Sequence, residues 1–316
     1  MRIAVFGTGG VGGYFGAKLA QAGNDVAFIA RGAHLAALRR DGLRIESAGG
    51  DLALRNVAAT DDPPSLAPVD VVMLCVKLWD VESAAAQVAS LLGRDGVVIA
   101  FQNGIDSAQI LSRVVGDAHV LGGVAYIAAA IRAPGVIAHT GSMAKLRVGA
   151  FDTVGALRGD GGRLRERASE FVRACTTAGI DAEVAPDIRR AIWEKFVFLT
   201  ALSGVTALSR QPVGTVRSDP DLRAAFTAAM QETVALARAR NVALPDDFLP
   251  KQMRAIDGLP AGMRSSMQND LLAGRRLEAP WLCGRVAELS AAAGIAAPVN
   301  ATIYAGLKPF VNGAPH

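Results

Sequence analysis

The segment Gly7-Thr8-Gly9-Gly10-Val11-Gly12 constrains what this chain can fold into more than any other. It matches G-x-G-x-x-G, follows an apolar run from Arg2 to Phe6 that reads as a strand, and opens a helical pattern from Val11 to Gln21. A glycine turn in that position belongs to a βαβ unit. Gly7 permits the tight turn, Gly9 lets the backbone approach a pyrophosphate, and Gly12 allows the helix to pack closely on the strand. An anion then sits at the helix N-terminus, where free N–H groups and the helix dipole favour negative charge. Thr8, Gly10 and Val11 complete this candidate cofactor-binding loop.

The pattern continues after the loop. Asp25 to Ala30 reads as a second strand, and Val69 to Val76 as a buried parallel strand. An amphipathic helix follows from about Val81 to Leu92, then another buried strand from Val97 to Phe101. Segments 118–127, 135–139 and 145–150 read as later, antiparallel strands, with turns at Ala133-Pro134-Gly135 and Thr140-Gly141. A helix from about Arg163 to Ala178 and a short strand from Asp181 to Val184 close this half. Beyond Ala185-Pro186-Asp187 everything reads helical. The expected architecture is α/β: an N-terminal Rossmann-type parallel-sheet domain over residues 1–185, then an all-helical substrate-binding domain over 186–316. A length of 316 residues suits two domains.

Composition narrows the function classes. With 51% hydrophobic and 20% charged residues the chain has enough apolar material for sizeable cores. The uncharged stretch Leu289 to Leu307 is interrupted by Gly294, Pro298 and Asn300, so two short packed helices are expected there and no membrane span. Met1-Arg2 runs directly into the first strand without a signal-like segment, which makes the cytoplasm the expected compartment. Cys75, Cys175 and Cys283 lie far apart in sequence and no His cluster accompanies them, so neither a disulfide framework nor a metal site is expected. The net charge of +4 is scattered; the Arg-rich stretch Arg158 to Arg173 is interleaved with Asp160, Glu166 and Glu170 and reads as a solvated helix face, with no nucleic-acid partner implied.

Four further places in the chain carry chemistry. The end of the second strand distinguishes the two nicotinamide cofactors, because an acidic residue there accepts from the ribose of NAD. Ala30-Arg31-Gly32 offers a guanidinium instead, suited to the 2′-phosphate of NADP(H), although a solvated loop arginine is the plainer alternative. Ligands in open α/β sheets bind beyond the carboxyl ends of strands, which draws attention to Lys77 and to Gln102-Asn103-Gly104. Finally, Lys195 lies in the apolar segment Ala191 to Leu202 and shares a helix face with Leu199 and Ser203. A partly desolvated lysine has its pKa lowered toward the range where it donates a proton at neutral pH.

With these residues in place the chain resembles the ketopantoate reductases, or 2-dehydropantoate 2-reductases, from Gly7 to about Pro309. The resemblance rests on the glycine loop, Cys75-Val76-Lys77, Gln102-Asn103-Gly104, Trp193-Glu194-Lys195, Ser265-Ser266-Met267 with Asp270, and Glu278. It implies NADPH-dependent reduction of ketopantoate to pantoate, a step of pantothenate biosynthesis. Lys195 would be the general acid and Glu278 would orient the substrate hydroxyls. Ser266 would bind the substrate carboxylate, with Lys77 and Asn103 near the nicotinamide and the reacting group. Taken without the resemblance, Ser265-Ser266 reads as a helix cap and Glu278 as a surface charge.

The chain departs from the family pattern at Leu199 and Ser203, where that pattern has asparagines. Leucine removes a donor and an acceptor and lines the site with hydrocarbon, so a reductase of a different, more apolar 2-oxo acid is the alternative. A 3-hydroxy acid dehydrogenase and a non-catalytic NADPH-binding sensor are the other competitors. Ser265-Ser266-Met267 and Glu278 speak against the first, and Lys195 with Glu278 against the second. The partner is a small-molecule 2-oxo acid; a homodimer is one option for the assembly.

Overall fold

The computed structural model describes residues 1–151 and 161–314, so Arg158 and Asp160 of the Arg-rich stretch lie outside the described residues. Ten strands among the described residues form one sheet: β1 Arg2–Phe6, β2 Asp25–Ile29, β3 Leu43–Ser47, β4 Leu52–Leu54, β5 Ala58–Thr60, β6 Val69–Leu74, β7 Leu92–Ala100, β8 Val120–Ala133, β9 Val136–Gly149 and β10 Asp181–Val184. Their order is β4-β3-β9-β8-β7-β6-β1-β2-β5, with β10 also paired to β9. The pairs from β5 through β8 are parallel, and β8 with β9 is antiparallel. β1 has β2 on one side and β6 on the other, so the strand order reverses at β1. Its carboxyl end is therefore a topological switch point, the usual ligand position in such sheets.

The described residues divide into two compact units, Met1–Gln102 with Asp106–Ala191, and Asn103–Ile105 with Ile192–His316. In the first, successive residues of β1 point to opposite faces and both faces are covered. Ile3 and Val5 pack with Phe15 and Leu19 of α1 (Gly10–Gln21) and with Phe171 of α5 (Gly161–Thr177). Ala4 and Phe6 pack with Val81, Ala85 and Val88 of α3 (Val81–Leu91) and Leu111 of α4 (Ser107–Val115). α2 (Gly32–Asp41) follows β2.

Two expectations for the later strands need correction. The segments at 118–127, 135–139 and 145–150 are one long hairpin, β8 and β9, turning at Ala133-Pro134-Gly135 with Gly135 at φ +78. Thr140-Gly141 is not a reversal. The register moves from Ala129↔His139 to Ile127↔Ala144, so residues 140–143 bulge within β9, with Gly141 at φ +80. A bulge and a turn call for the same residue types, which is why the sequence alone does not separate them.

The second unit is helical: most of α6 (Ile188–Ser209), then α7 Val213–Ser218, α8 Pro220–Ala239, α9 Phe248–Asp257, α10 Ser266–Leu272, α11 Cys283–Ala292 and α12 Pro298–Leu307. Its core joins Phe196, Val197 and Leu202 of α6 to Phe226 and Met230 of α8, Val286 of α11 and Ile303 of α12. α6 is the one described helix long and apolar enough to cross a membrane, but its most apolar window is 67% buried, as in a core helix. The stretch from Leu289 to Leu307 is broken as its sequence suggests, with Gly294 at φ +67 and Pro298 in the first turn of α12.

Candidate functional site

The glycine loop is held from below by the ends of its neighbouring strands. The N–H groups of Gly7 and Thr8 both donate to the Ile29 carbonyl, at 3.2 and 3.1 Å, and the Thr8 hydroxyl donates to the same oxygen at 3.0 Å. Gly7 adopts φ +96, and a Cβ there would lie 2.9 Å from the Val76 nitrogen. A Cβ at Gly12 would collide with the Gly7 carbonyl and lie 2.7 Å from the Val5 side chain. Gly9 differs: a Cβ there meets nothing within 4 Å, so the space over the loop is open at the start of α1. Gly10 shows a constraint that the motif does not contain, because a Cβ would run into the Ala129 carbonyl of β8. Nothing in the sequence pairs position 10 with position 129. Val11 is half-buried in the first turn of α1.

Arg31 is exposed and stands at the N-cap of α2, immediately beyond β2. Lys77 is half-buried after β6, with its ammonium 5.6 Å from the centre of the Trp79 ring. Gln102 has a structural task. Its amide donates to the Leu74 carbonyl at 2.9 Å and to that of Val76 at 3.3 Å, tying the segment that follows β7 to the end of β6.

In the helical unit, the half-buried Lys195 donates from Nζ to Oδ1 of Asn103 at 2.8 Å. Burial lowers the lysine pKa to about 8, and the nearby Glu278 carboxylate opposes part of that shift. Glu278 is itself buried, at 7% exposure, which is unlike a surface charge. Leu199, one turn beyond Lys195, is half-buried, and Ser203 is buried. Trp193 and Phe196 stack edge to face at 5.6 Å and anchor this part of α6 in the core.

The two serines separate. Ser265 is buried and caps α10 by accepting from the Gln268 N–H at 3.1 Å, so the cap reading holds for it. Ser266 begins α10 and is exposed. Asp270 pairs with Arg275 at 2.8 Å. Sequence reasoning missed Thr206, whose hydroxyl lies 2.8 Å from that of Ser265; only its spacing from Lys195, about three helical turns, hinted at a shared face. Among the described residues no group of three or more His, Cys, Asp or Glu side chains is placed to hold a metal ion.

Comparison with known proteins finds relatives along nearly the whole chain. Residues 3–153 match the model of the family described as ketopantoate reductase PanE/ApbA, and residues 187–310 match the model of its C-terminal part. A 2-dehydropantoate 2-reductase of Halobacterium salinarum is 32% identical over 307 residues, covering 96% of both chains. The crystal structure of a PanE/ApbA family ketopantoate reductase from Ralstonia eutropha superposes with a TM-score of 0.87 at 30% identity, over 98% of each chain. A ternary structure of D-mandelate dehydrogenase with NADH and anilino(oxo)acetate shares the fold, with a TM-score of 0.88 at 20% identity over 98% of each chain.

Proposed function

The chain belongs to the ketopantoate reductase family of oxidoreductases, and from that premise we propose that it uses NADPH to reduce 2-dehydropantoate to pantoate, with Lys195 as the general acid. The observation that carries this reading is the lysine itself: an ammonium held at 2.8 Å by the Asn103 side chain in a largely apolar helix, under the charge of the buried Glu278 carboxylate, with burial drawing its pKa down to about 8.

The glycine loop fits a dinucleotide on its own geometry. Gly7 and Gly12 are closed in by neighbouring atoms, whereas Gly9 has open space above it. In our reading residues 7–12 hold the pyrophosphate and Arg31 meets the 2′-phosphate of NADP(H), while Lys77 and Asn103 border the nicotinamide end. The cofactor supplies the hydride. What the chain's own side chains supply is charge and a proton. Reduction of a ketone builds negative charge on its oxygen, and the Lys195 ammonium both stabilises that charge and protonates it. Asn103 accepts one N–H of that ammonium and so fixes its position. Glu278 favours the protonated lysine by its charge and accepts from substrate hydroxyls, and Ser266 donates to the substrate carboxylate.

Leu199 supports a second reading within the same chemistry. Its half-buried hydrocarbon follows Lys195 on the helix face and suits a less hydroxylated 2-oxo acid. One experiment addresses both: purified protein is mixed with NADPH and ketopantoate, then with a panel of other 2-oxo acids, and the loss of reduced-nicotinamide absorbance is followed. Turnover of ketopantoate that vanishes in Lys195→Ala supports reaction and substrate. Turnover of another 2-oxo acid alone retires the substrate and keeps the mechanism, and silence across the panel despite NADPH binding overturns the reductase reading.

A further inference from the structure

A chain of hydroxyls links the lysine helix to the start of α10. Thr206, fully buried on α6, has its Oγ1 2.6 Å from the Leu202 carbonyl and 2.8 Å from the Ser265 hydroxyl. Each hydroxyl has one proton to give. The carbonyl can only accept, so Thr206 donates to Leu202; Ser265 then donates to Thr206, and the Gln268 N–H donates to Ser265. Every proton in the sequence Gln268 N–H to Ser265 to Thr206 to the Leu202 carbonyl has one acceptor, and the direction of each bond is set by the next.

We infer that Thr206 is a positioning residue for substrate binding, acting through Ser265 to fix Ser266. Eleven residues separate it from Lys195, about three turns, so both project from one face of α6. One rigid helix thus carries the proton donor and, further along, grips the residue immediately before Ser266. Buried hydrogen-bonded hydroxyls hold such a register more tightly than apolar contact, because any slip leaves a buried donor unpaired. This inference rests on the reading that Ser266 meets the substrate carboxylate; it adds the residue that keeps Ser266 in place.

The test uses the full chain with bound NADP+, so that 2-oxo acid binding is read by calorimetry apart from turnover, and steady-state kinetics with NADPH. Thr206→Val removes the link at nearly constant volume, and Thr206→Ser retains the hydroxyl. The expected result for Thr206→Val is ketopantoate binding and KM weakened about tenfold, the value of roughly one net hydrogen bond, with kcat and the NADPH affinity nearly unchanged. Thr206→Ser should restore substrate affinity. Unchanged substrate affinity in Thr206→Val overturns the positioning role and leaves the proposed reaction standing. Equal loss of cofactor and substrate binding also overturns it, since that marks general damage. If Thr206→Val does not fold, Ser265→Ala removes the other hydroxyl of the link and must weaken ketopantoate binding alone, or the inference fails. Should the unsubstituted protein bind none of the 2-oxo acid panel, the proposed function falls and this inference falls with it.

Discussion

Lys195 owes its proposed role to where its ammonium sits more than to its residue type. Burial draws its pKa down to about 8 while the Glu278 charge holds it up. A general acid must carry its proton, so kcat/KM should be level at lower pH and fall as the pH rises through about 8, a limb measured directly in a pH-rate profile. Glu278→Gln removes the charge that favours the protonated form, so the limb should move to lower pH; an unmoved limb would count against the pair. Lys195→Ala should lower kcat by roughly 10²- to 10⁴-fold, the usual contribution of a positioned acid. At Arg31 the expectation concerns cofactor choice. Losing a charge-assisted contact to phosphate is worth about 1.5–3 kcal/mol, so Arg31→Ala should reduce the preference for NADPH over NADH by roughly ten- to a hundredfold in kcat/KM ratios, with NADH kinetics little changed. The residue types at these positions are legible in the sequence. The burial of Glu278 and the link from Thr206 to Ser265 are not, because they join positions 83 and 59 residues apart to those on α6.

At the scale of elements, the glycine loop separates two kinds of glycine that the motif writes alike. Gly9 faces open space and has a backbone that alanine can adopt, at φ −86, so Gly9→Ala should leave the melting temperature nearly intact while weakening NADPH binding. Gly10 is pressed by the Ala129 carbonyl, so Gly10→Ala must displace β8 or the start of α1 and should lower the melting temperature by several degrees, as a strained or overpacked site does. Thermal unfolding and cofactor titration of the two variants, side by side, distinguish these outcomes. β1, α1, β2 and α3 lie within a residue or two of where periodicity puts them, since their apolar spacing is local information. The β8–β9 hairpin was less legible. The bulge at residues 140–143 is decided by which residues of β8 pair with β9 across the turn, and a Gly-containing break in a strand pattern has the same appearance in either case.

At the scale of the whole molecule, the first compact unit encloses an apolar cluster on each face of its sheet and the second encloses one among its helices, and the glycine loop belongs to the first. A ligand that binds only the folded form stabilises it by mass action, so NADPH at about a hundred times its Kd should add about 2.7 kcal/mol to the stability of the cofactor-binding unit, seen as a raised unfolding midpoint in calorimetry. An unaltered midpoint at saturating NADPH would sink the assignment of the loop. The sequence alone determined β1, the glycine loop, α1, β2, β6 and α3 and the presence of a lysine in an apolar helix, but not α2, β3, β4, β5 or α4, because hydrophobic periodicity and glycine chemistry act over a few residues and those short elements carry little of either. Only the tertiary structure decided that Asn103 is grouped with the helical unit and accepts from Lys195, that Glu278 is buried, and that Ala129 closes over Gly10. Those relations depend on which distant segments are brought within a few ångströms of each other, and desolvation and hydrogen bonding take their strength from that packing.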